Sequence, residues 1–397
     1  MDTTRLNKLF QQIDGHTFEV RYWDGSVFRR GTGEVPEFSV VLHARPVMHK
    51  LIADPSLYLG EAYMDGNLDL EGDLDAVTEA LNQLLIKARS RLSGKLLDLV
   101  SLSIRAMSDI NRQKQNIHTH YDLGNDFFSL WLDKTMSYSC AYFTEEGDSL
   151  EQAQLRKIDH ILKKLQLNKD MRLLEIGCGW GWLSLKAARE YGARVLGITL
   201  SEEQYAKVKE RVREAGLEGR VEVRLQNYLE LEERDAFDRV VSVGMFEHVG
   251  PNHIPHYFEK VNDVLKPGGV SLLHTITKAD EAEANSWLKA YIFPGGYIPS
   301  FEEIIRNLRA SRFPVLHVES LRRHYAKTLD IWFENFSQDS VLDIVRAKFG
   351  DRFIRMWSLY LRMAASFFRI GDLDLHQFVF TKDVNNSLPM TMETVYH

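Results

Sequence analysis

The chain has only two cysteines, Cys140 and Cys178, in 397 residues. Two thiols set in separate motif-like stretches do not make a disulfide framework, and so low a count fits a reducing, cytoplasmic setting. Long apolar runs are missing too: nothing approaches the roughly 18 residues that a spanning helix needs. The opening segment, MDTTRLNKLFQQID, lacks the apolar core of a secretory signal. Any membrane contact is therefore expected to be peripheral. There is no excess of positive charge; a net charge of -7 excludes a global attraction to nucleic acid. What is present is an ordinary globular composition, 44% hydrophobic and 26% charged. The length suggests two or three domains.

Against these absences stands one stretch, RLLEIGCGWGW, from Arg172 to Trp182. Leu173, Leu174 and Ile176 read as a short buried strand, with Glu175 near its end. Gly177, Gly179 and Gly181 follow at alternate positions, and an amphipathic helical pattern runs from about Leu183 to Glu190. Glycine here admits positive φ and the close approach of a ligand. That is the geometry of a nucleotide-type cofactor at the end of the first strand of a doubly wound sheet. A dinucleotide site would need G-x-G-x-x-G and an acid at the tip of the second strand. Here the spacing is G-x-G-x-G, and the second strand, Arg194 to Ile198, runs into Thr199-Leu200-Ser201 without a carboxylate. With its acid inside the first strand, the stretch resembles motif I of the class I S-adenosylmethionine (SAM) methyltransferases. In those enzymes the acid orders the loop and the glycines admit the methionine part of the cofactor.

The first 110 or so residues read as a separate α+β unit. Phe18, Val20, Tyr22, Val27 and Phe28 fall in short strands around an Asp24-Gly25 turn. Another strand is expected over Phe38 to Leu42, with helices over Pro46 to Ala53 and Asp73 to Leu85. LGEAYMDGNLDLEGD, between those helices, reads as a structured turn region. From Ile86 to Lys114 seven Lys and Arg residues face two Asp, a local net of +5 interleaved with leucines. Such a stretch is either a basic amphipathic helix lying on an anionic membrane or a linker helix with a solvated face. Residues 111–149 read as a lid or entry segment. The His118-x-His120 pair within it lacks further ligands at metal-binding spacing, so no metal is expected.

The catalytic unit is expected from about residue 150 to 397. A helix runs to Leu165, and Ser201-x-x-Gln204 has the pattern of a capping box. Further strands are expected over Val221 to Leu225, Phe237 to Val243 and Val270 to Ile276. A helix from His253 to Leu265 is stopped by Lys266-Pro267-Gly268-Gly269, and Leu375 to Thr381 reads as a late strand. Thr328 to Phe349 and Asp351 to Arg369 read as helical packing elements. Alternating β and α segments imply a parallel sheet with its functional groups at the strand C-termini. The fold expected is α/β, a Rossmann-like class I SAM methyltransferase with a smaller α+β N-terminal domain.

Five stretches taken together, YSCAYF (138–143), LEIGCGWGW (174–182), MFEHVG (245–250), HTI (274–276) and YIFPGGYIPS (291–300), resemble the cyclopropane-fatty-acyl-phospholipid synthase family. The likeness runs from about Asn111 to the C-terminus. The first 110 residues, with LGEAYMDG (59–66), resemble the lipid-associated domain of the bacterial enzymes, which the shorter mycolic-acid enzymes lack. The resemblance implies methylation of a cis double bond in a phospholipid acyl chain, followed by closure of a cyclopropane ring. An alkene is a weak nucleophile, so the sulfonium methyl must be held in line with water excluded. Transfer leaves a carbocation, which aromatic faces stabilise without capturing it. A base then removes a proton from the added methyl group.

In that family the base is a bound bicarbonate. Its cage, carried over, is Cys140 and Ile276 through backbone amides and Glu247, His274 and Tyr325 through side chains. For SAM the matching positions are Tyr138, Ser139, Gly177, Gly179, Thr199, Gln204 and Asn227, with Glu175, Leu200 and Tyr228 beside them. Tyr121 would lie near the sulfonium and the reacting carbon. The resemblance also implies a homodimer at the inner membrane surface. Trp182 and Asn227 depart from the family's usual glycine and aspartate. From the residues alone the alternatives are a helix cap for Glu247, a core histidine for His274 and a packing residue for Tyr325. A methyl-branched or methylene product, or methylation of a small polar molecule at O or N, are the alternative activities.

Overall fold

The structure, a computed structural model, describes residues 3–89, 123–279 and 285–396. Tyr121, the His118/His120 pair and most of the basic stretch lie outside the described residues. The chain divides into two compact units, Met1–Met107 with Ala284–Phe293 and Trp332–Gly371, and Ser108–Glu283 with Pro294–Ile331 and Asp372–His397.

In the first unit β1 (Phe18–Arg21), β2 (Val27–Arg30), β3 (Phe38–Leu42) and β4 (Leu68–Gly72) form a sheet in the order β2-β1-β3-β4. Alternation sets its faces: Phe18 and Val20 are buried while Arg21 is exposed, as a half-buried strand requires. The Phe18 and Phe38 rings stack across the parallel β1/β3 pair at 5.0 Å. LGEAYMDGNLDLEGD is not the turn region its Gly and Asp content suggested. Its first half completes the helix Pro55–Met64, capped by Asp54, and its second half is β4, paired with β3. Pairing and burial outweigh local composition there.

The division into units also differs from the expected segments 1–110, 111–149 and 150–397. Residues 284–293 and 332–371 belong with the N-terminal unit because their apolar and polar faces find partners in it. Trp287 Nε1–H donates to Met64 Sδ (3.1 Å), Tyr291 OH to Glu61 (2.8 Å) and Ser286 Oγ to Asp54 (2.6 Å). Helix Asp351–Ile370 contributes Ser366, whose hydroxyl donates to Leu74 O (3.3 Å).

Among the described residues the second unit holds seven strands: β5 (Arg172–Ile176), β6 (Arg194–Thr199), β7 (Val221–Leu225), β8 (Phe237–Val243), β9 (Leu265–Lys278), β10 (Val315–Ser320) and β11 (Leu373–Thr381). Their order is β10-β11-β9-β8-β5-β6-β7. The five strands from β9 to β7 run parallel; β11 and β10 are added antiparallel. Successive connections leave β5 in opposite directions, so the strand order reverses between β5 and β8. This is the switch point at which open α/β sheets bind ligands. Apolar clusters on the two faces, one around Phe258 and Phe380 and the other around Ile161 and Leu183, seat the sheet between helices.

Lys266-Pro267-Gly268-Gly269 does end the helix Ile254–Val264, but it is not a free turn. The chain passes directly into β9, with a register shift against β8, and the residues after β11 hold it there: Gly268 N–H donates to Lys382 O (2.7 Å) and Lys382 N–H to Gly269 O (3.0 Å). Partners remote in sequence turned a stop signal into the start of a strand.

Within the first unit, a Cβ added at Gly60 would lie 2.2 Å from Trp287 Cδ1. Gly60→Ala is expected to destabilise the unit by about 1–3 kcal/mol through overpacking. In a Trp287→Ala background the same change should cost nothing further, because the obstructing ring is gone. Thermal melts of the four proteins of this cycle check it.

Candidate active site

The turn after β5 is built by close backbone approach. Gly177 has φ +80°, and a Cβ there would meet Met245 at 2.9 Å; Gly181 has φ +85° and would meet Val208 at 2.9 Å. Gly177 and Cys178 N–H both donate to Ile198 O (2.9 and 3.0 Å), tying the turn to the end of β6. Helix Trp182–Glu190 starts directly from it. The result is a cavity over the C-terminal ends of β5 and β6, floored by bare backbone.

All ten positions assigned to SAM from the sequence line this one cavity. Glu175 is buried in its floor and hydrogen-bonded to Ser184. Burial pushes its carboxyl up to about 7, against the opposing pull of Ser184 and Lys157. Lys157, buried on the helix Leu150–Lys164, donates to Ser139 Oγ at 2.8 Å, and burial pulls it down to about 8. Thr199 Oγ1–H donates to Gln204 Oε1 (2.8 Å), while Ser201 Oγ accepts from Gln204 N–H (3.3 Å). Ser201 thus caps as expected, but the Gln204 amide faces Thr199 rather than returning to the cap. Asn227 Oδ1 already accepts from Leu229 N–H (3.0 Å), which uses one of its two lone pairs. Trp182 lines the cavity as well, with the Arg211 guanidinium over its ring at 5.6 Å.

The segment before the helix Leu150–Lys164 is seated by specific bonds. Trp180 Nε1–H donates to Asn125 Oδ1 (2.7 Å), and Gln154 Nε2–H to Ser139 O (2.8 Å). Ala141 N–H donates to Thr328 Oγ1 and Phe143 N–H to His324 Nδ1, each at 3.1 Å. These last two place YSCAYF against the helix that begins at Arg322 and carries Tyr325.

The second group of residues gathers around the ends of β9 and β11. Glu247 sits in a 3₁₀ turn after β8, Phe246–His248, and caps nothing. Its Oε1 instead accepts from Ile276 N–H at 2.8 Å. The Ile276 amide, assigned to the anion from the sequence, is thus engaged here by a side chain of the same group. Among the described residues Glu247 Oε2 is buried with no partner at hydrogen-bond geometry, and burial raises the carboxyl above its usual range despite the Ile276 bond and the nearby Thr275 hydroxyl. His274, 1% exposed, accepts at Nδ1 from Gln377 (3.1 Å), and its Nε2 is buried without a partner among the described residues. Burial, then the charges of Lys157 and Lys164, hold this imidazole neutral. It is not a satisfied core histidine. The Cys140 thiol is fully buried and pushed up by desolvation, which makes it inert as a nucleophile. Cys140 Sγ lies 3.8 Å from Leu321 O, the carbonyl that also accepts Tyr325 N–H (3.0 Å). Leu321 N–H in turn donates to Leu375 O (2.7 Å), and Leu375 pairs with Ile276. Cys140, Glu247, His274, Ile276 and Tyr325 are thus carried by adjoining elements.

Sequence reasoning missed Lys157, Met245 and His248, which line the cavity, and Lys164 and Gln377 behind His274. A signal for the lysines was present. Gln154, Lys157 and Lys164 fall on the same helical stripe as Leu150, Ile158 and Ile161, where an amphipathic helix carries its apolar residues.

A strand, glycine turn and helix at the switch point, with a cavity of buried polar groups above it, define a class I SAM-dependent methyltransferase. The lining suits SAM: bare backbone on which the ligand can lie, one buried cation and one buried carboxyl, and side-chain amides at Gln204 and Asn227. Residues 108–378 match the family described as mycolic acid cyclopropane synthetase. The chain belongs to this family. Residues 5–91 match a family described as a domain of unknown function. The chain is 38% identical to cyclopropane-fatty-acyl-phospholipid synthase of Escherichia coli K12, covering 85% of this chain and 86% of that protein. It is 36% identical to a probable fatty acid methyltransferase of Pseudomonas putida, covering 95% of each. Its structure matches mycolic acid cyclopropane synthase CmaA1 complexed with SAH and CTAB, at TM-score 0.64 and 36% identity, over 68% of this chain and 98% of that one.

Because the folded chain holds the Glu175 proton up to about 7 rather than 4.5, ionisation of this carboxyl costs stability as pH rises through that window. Glu175→Gln should therefore gain on its parent between about pH 5 and about pH 8, by up to about 3 kcal/mol. The difference in melting temperature of the ligand-free proteins, followed against pH, checks it.

Proposed function

We propose that the protein transfers the methyl group of SAM to a cis double bond in a phospholipid acyl chain and closes a cyclopropane ring, with bicarbonate as the base. The observation that carries this reading is the pair of buried atoms Glu247 Oε2 and His274 Nε2, neither with a hydrogen-bond partner among the described residues. Two such atoms in a dry site are costly unless a polar ligand meets them. They lie beside, not in, the cofactor cavity; Glu247 shares its turn with His248 and follows Met245, both of which line that cavity.

Bound SAM supplies an electrophilic methyl group on a sulfonium. Gly177 and Gly179 let the cofactor lie on backbone, Gln204 and Asn227 meet its polar groups, and Tyr138 and Ser139 close over it. Bicarbonate, held by His274, Glu247, Tyr325 and the Cys140 amide, supplies the base for ring closure. Glu247 contributes through a shared proton, since an ionised carboxylate would repel an anion. Ile276 N–H anchors Glu247 and so acts on the anion at one remove. Tyr121 is assigned to the reacting end of the acyl chain. The reading includes a homodimer, which follows from the family resemblance alone, and peripheral binding at the inner membrane surface, which the lipid substrates in the relatives' names support.

The probable fatty acid methyltransferase among the relatives supports a second reading, in which proton loss leaves a methylene or methyl-branched chain. Incubation with SAM and vesicles of mono-unsaturated phospholipid, with and without bicarbonate, tests both. A gain of one methylene unit in a chain without a double bond supports the ring; retention of an alkene supports the second reading. No mass gain overturns both.

Glu247→Ala should lower ring formation by about a hundredfold or more while leaving SAM affinity within about twofold. Glu247→Gln keeps the Ile276 contact and a donor but cannot share a proton, so its rate should fall between parent and Ala. Turnover on vesicles and calorimetric titration with SAM check the order; a large loss of SAM binding would contradict the role.

A further inference from the structure

Behind His274 lies a buried polar chain that the methyl-transfer chemistry does not use. Gln377, 0% exposed, stands directly opposite His274 in the antiparallel β9/β11 pair. Its Nε2 is 3.1 Å from His274 Nδ1, and its Oε1 is 2.7 Å from Lys164 Nζ. Lys164, 1% exposed, also donates to Glu319, and Glu319 accepts from His160 at 2.6 Å. Burial pushes the Glu319 carboxyl up, but the His160 hydrogen bond and the Lys164 ammonium outweigh it and keep it ionised.

We propose that Gln377, oriented by Lys164, is a positioning residue that fixes His274 as the tautomer with hydrogen on Nε2. The argument is one of donors and acceptors. An ammonium has three donors and no acceptor, so Gln377 must turn its carbonyl oxygen towards Lys164. Its amide NH₂ then faces His274 Nδ1, which must accept and is therefore bare. In a neutral imidazole the hydrogen is then on Nε2. Nε2 is the buried ring atom without a partner. Lys164 and Glu319 thus hold a ring they do not touch in the state that offers a donor and no acceptor. Given the anion site proposed above, on which this role rests, that is the state required: an Nε2 lone pair would repel the anion.

Histidine-selective ¹⁵N NMR tests this directly, with His274→Asn to assign the ring. The parent should show a bare Nδ1 and a protonated Nε2; a protonated Nδ1 in the parent overturns the inference. Gln377→Glu is isosteric and keeps a partner for Lys164, but presents only acceptors, so it should move the hydrogen to Nδ1. Ring closure should then fall roughly tenfold to a hundredfold with the KM for SAM unchanged. An unmoved hydrogen in Gln377→Glu overturns the positioning role whatever the activity. A moved hydrogen with parental ring closure upholds the tautomer control and instead overturns the role given to His274 in holding the anion.

Discussion

The close passage of backbone at Gly177 and Gly181 is the constraint on which the second unit depends. At neither position is there room for a Cβ, and both residues sit in the left-handed region that glycine alone occupies cheaply. The turn is anchored to the end of β6 and packed against the loop after β8, so it draws three strand ends together. A cavity floored by backbone follows from that packing. Tyr138 and Ser139, the side-chain amides and the buried lysine are arranged around a shape the glycines create.

Burial then does the chemical tuning. Beside the turn, Glu175 and Lys157 are pulled towards each other in proton affinity because a dry environment penalises both charges. One loop further on the same desolvation raises Glu247 and keeps His274 neutral. The ionisable groups of the two places differ in their partners. In the cavity floor Glu175 has Ser184 and Lys157 has Ser139. Around β9, Glu247 and His274 each have one atom satisfied and one left over.

Much of this was legible in the sequence because the signals are local. The glycine spacing, the acid within the first strand and the apolar runs of β5 to β8 depend on neighbours a few residues away. The places where local reading failed are those where a distant partner decides the matter. LGEAYMDGNLDLEGD became helix and strand because β3 pairs with its second half. Lys266-Pro267-Gly268-Gly269 became part of a strand because the chain after β11 bonds to it. Lys157 and Lys164 lie on the apolar stripe of their helix, a visible anomaly, but their acceptors are remote in sequence.

By itself the sequence determined that the central strands run parallel and where the glycine turn lies, while the residues expected around that turn followed from the family resemblance. Periodicity and backbone preference act over a few residues, and these features need no more. Only the tertiary structure decided that Glu247 spans to Ile276 instead of capping a turn, and that segments 284–293 and 332–371 join the N-terminal unit. It alone set Gln377 between a lysine and a histidine 213 and 103 positions away. Each of these is a choice of hydrogen-bond or packing partner made when remote strands and helices are brought into contact, and no local pattern encodes it.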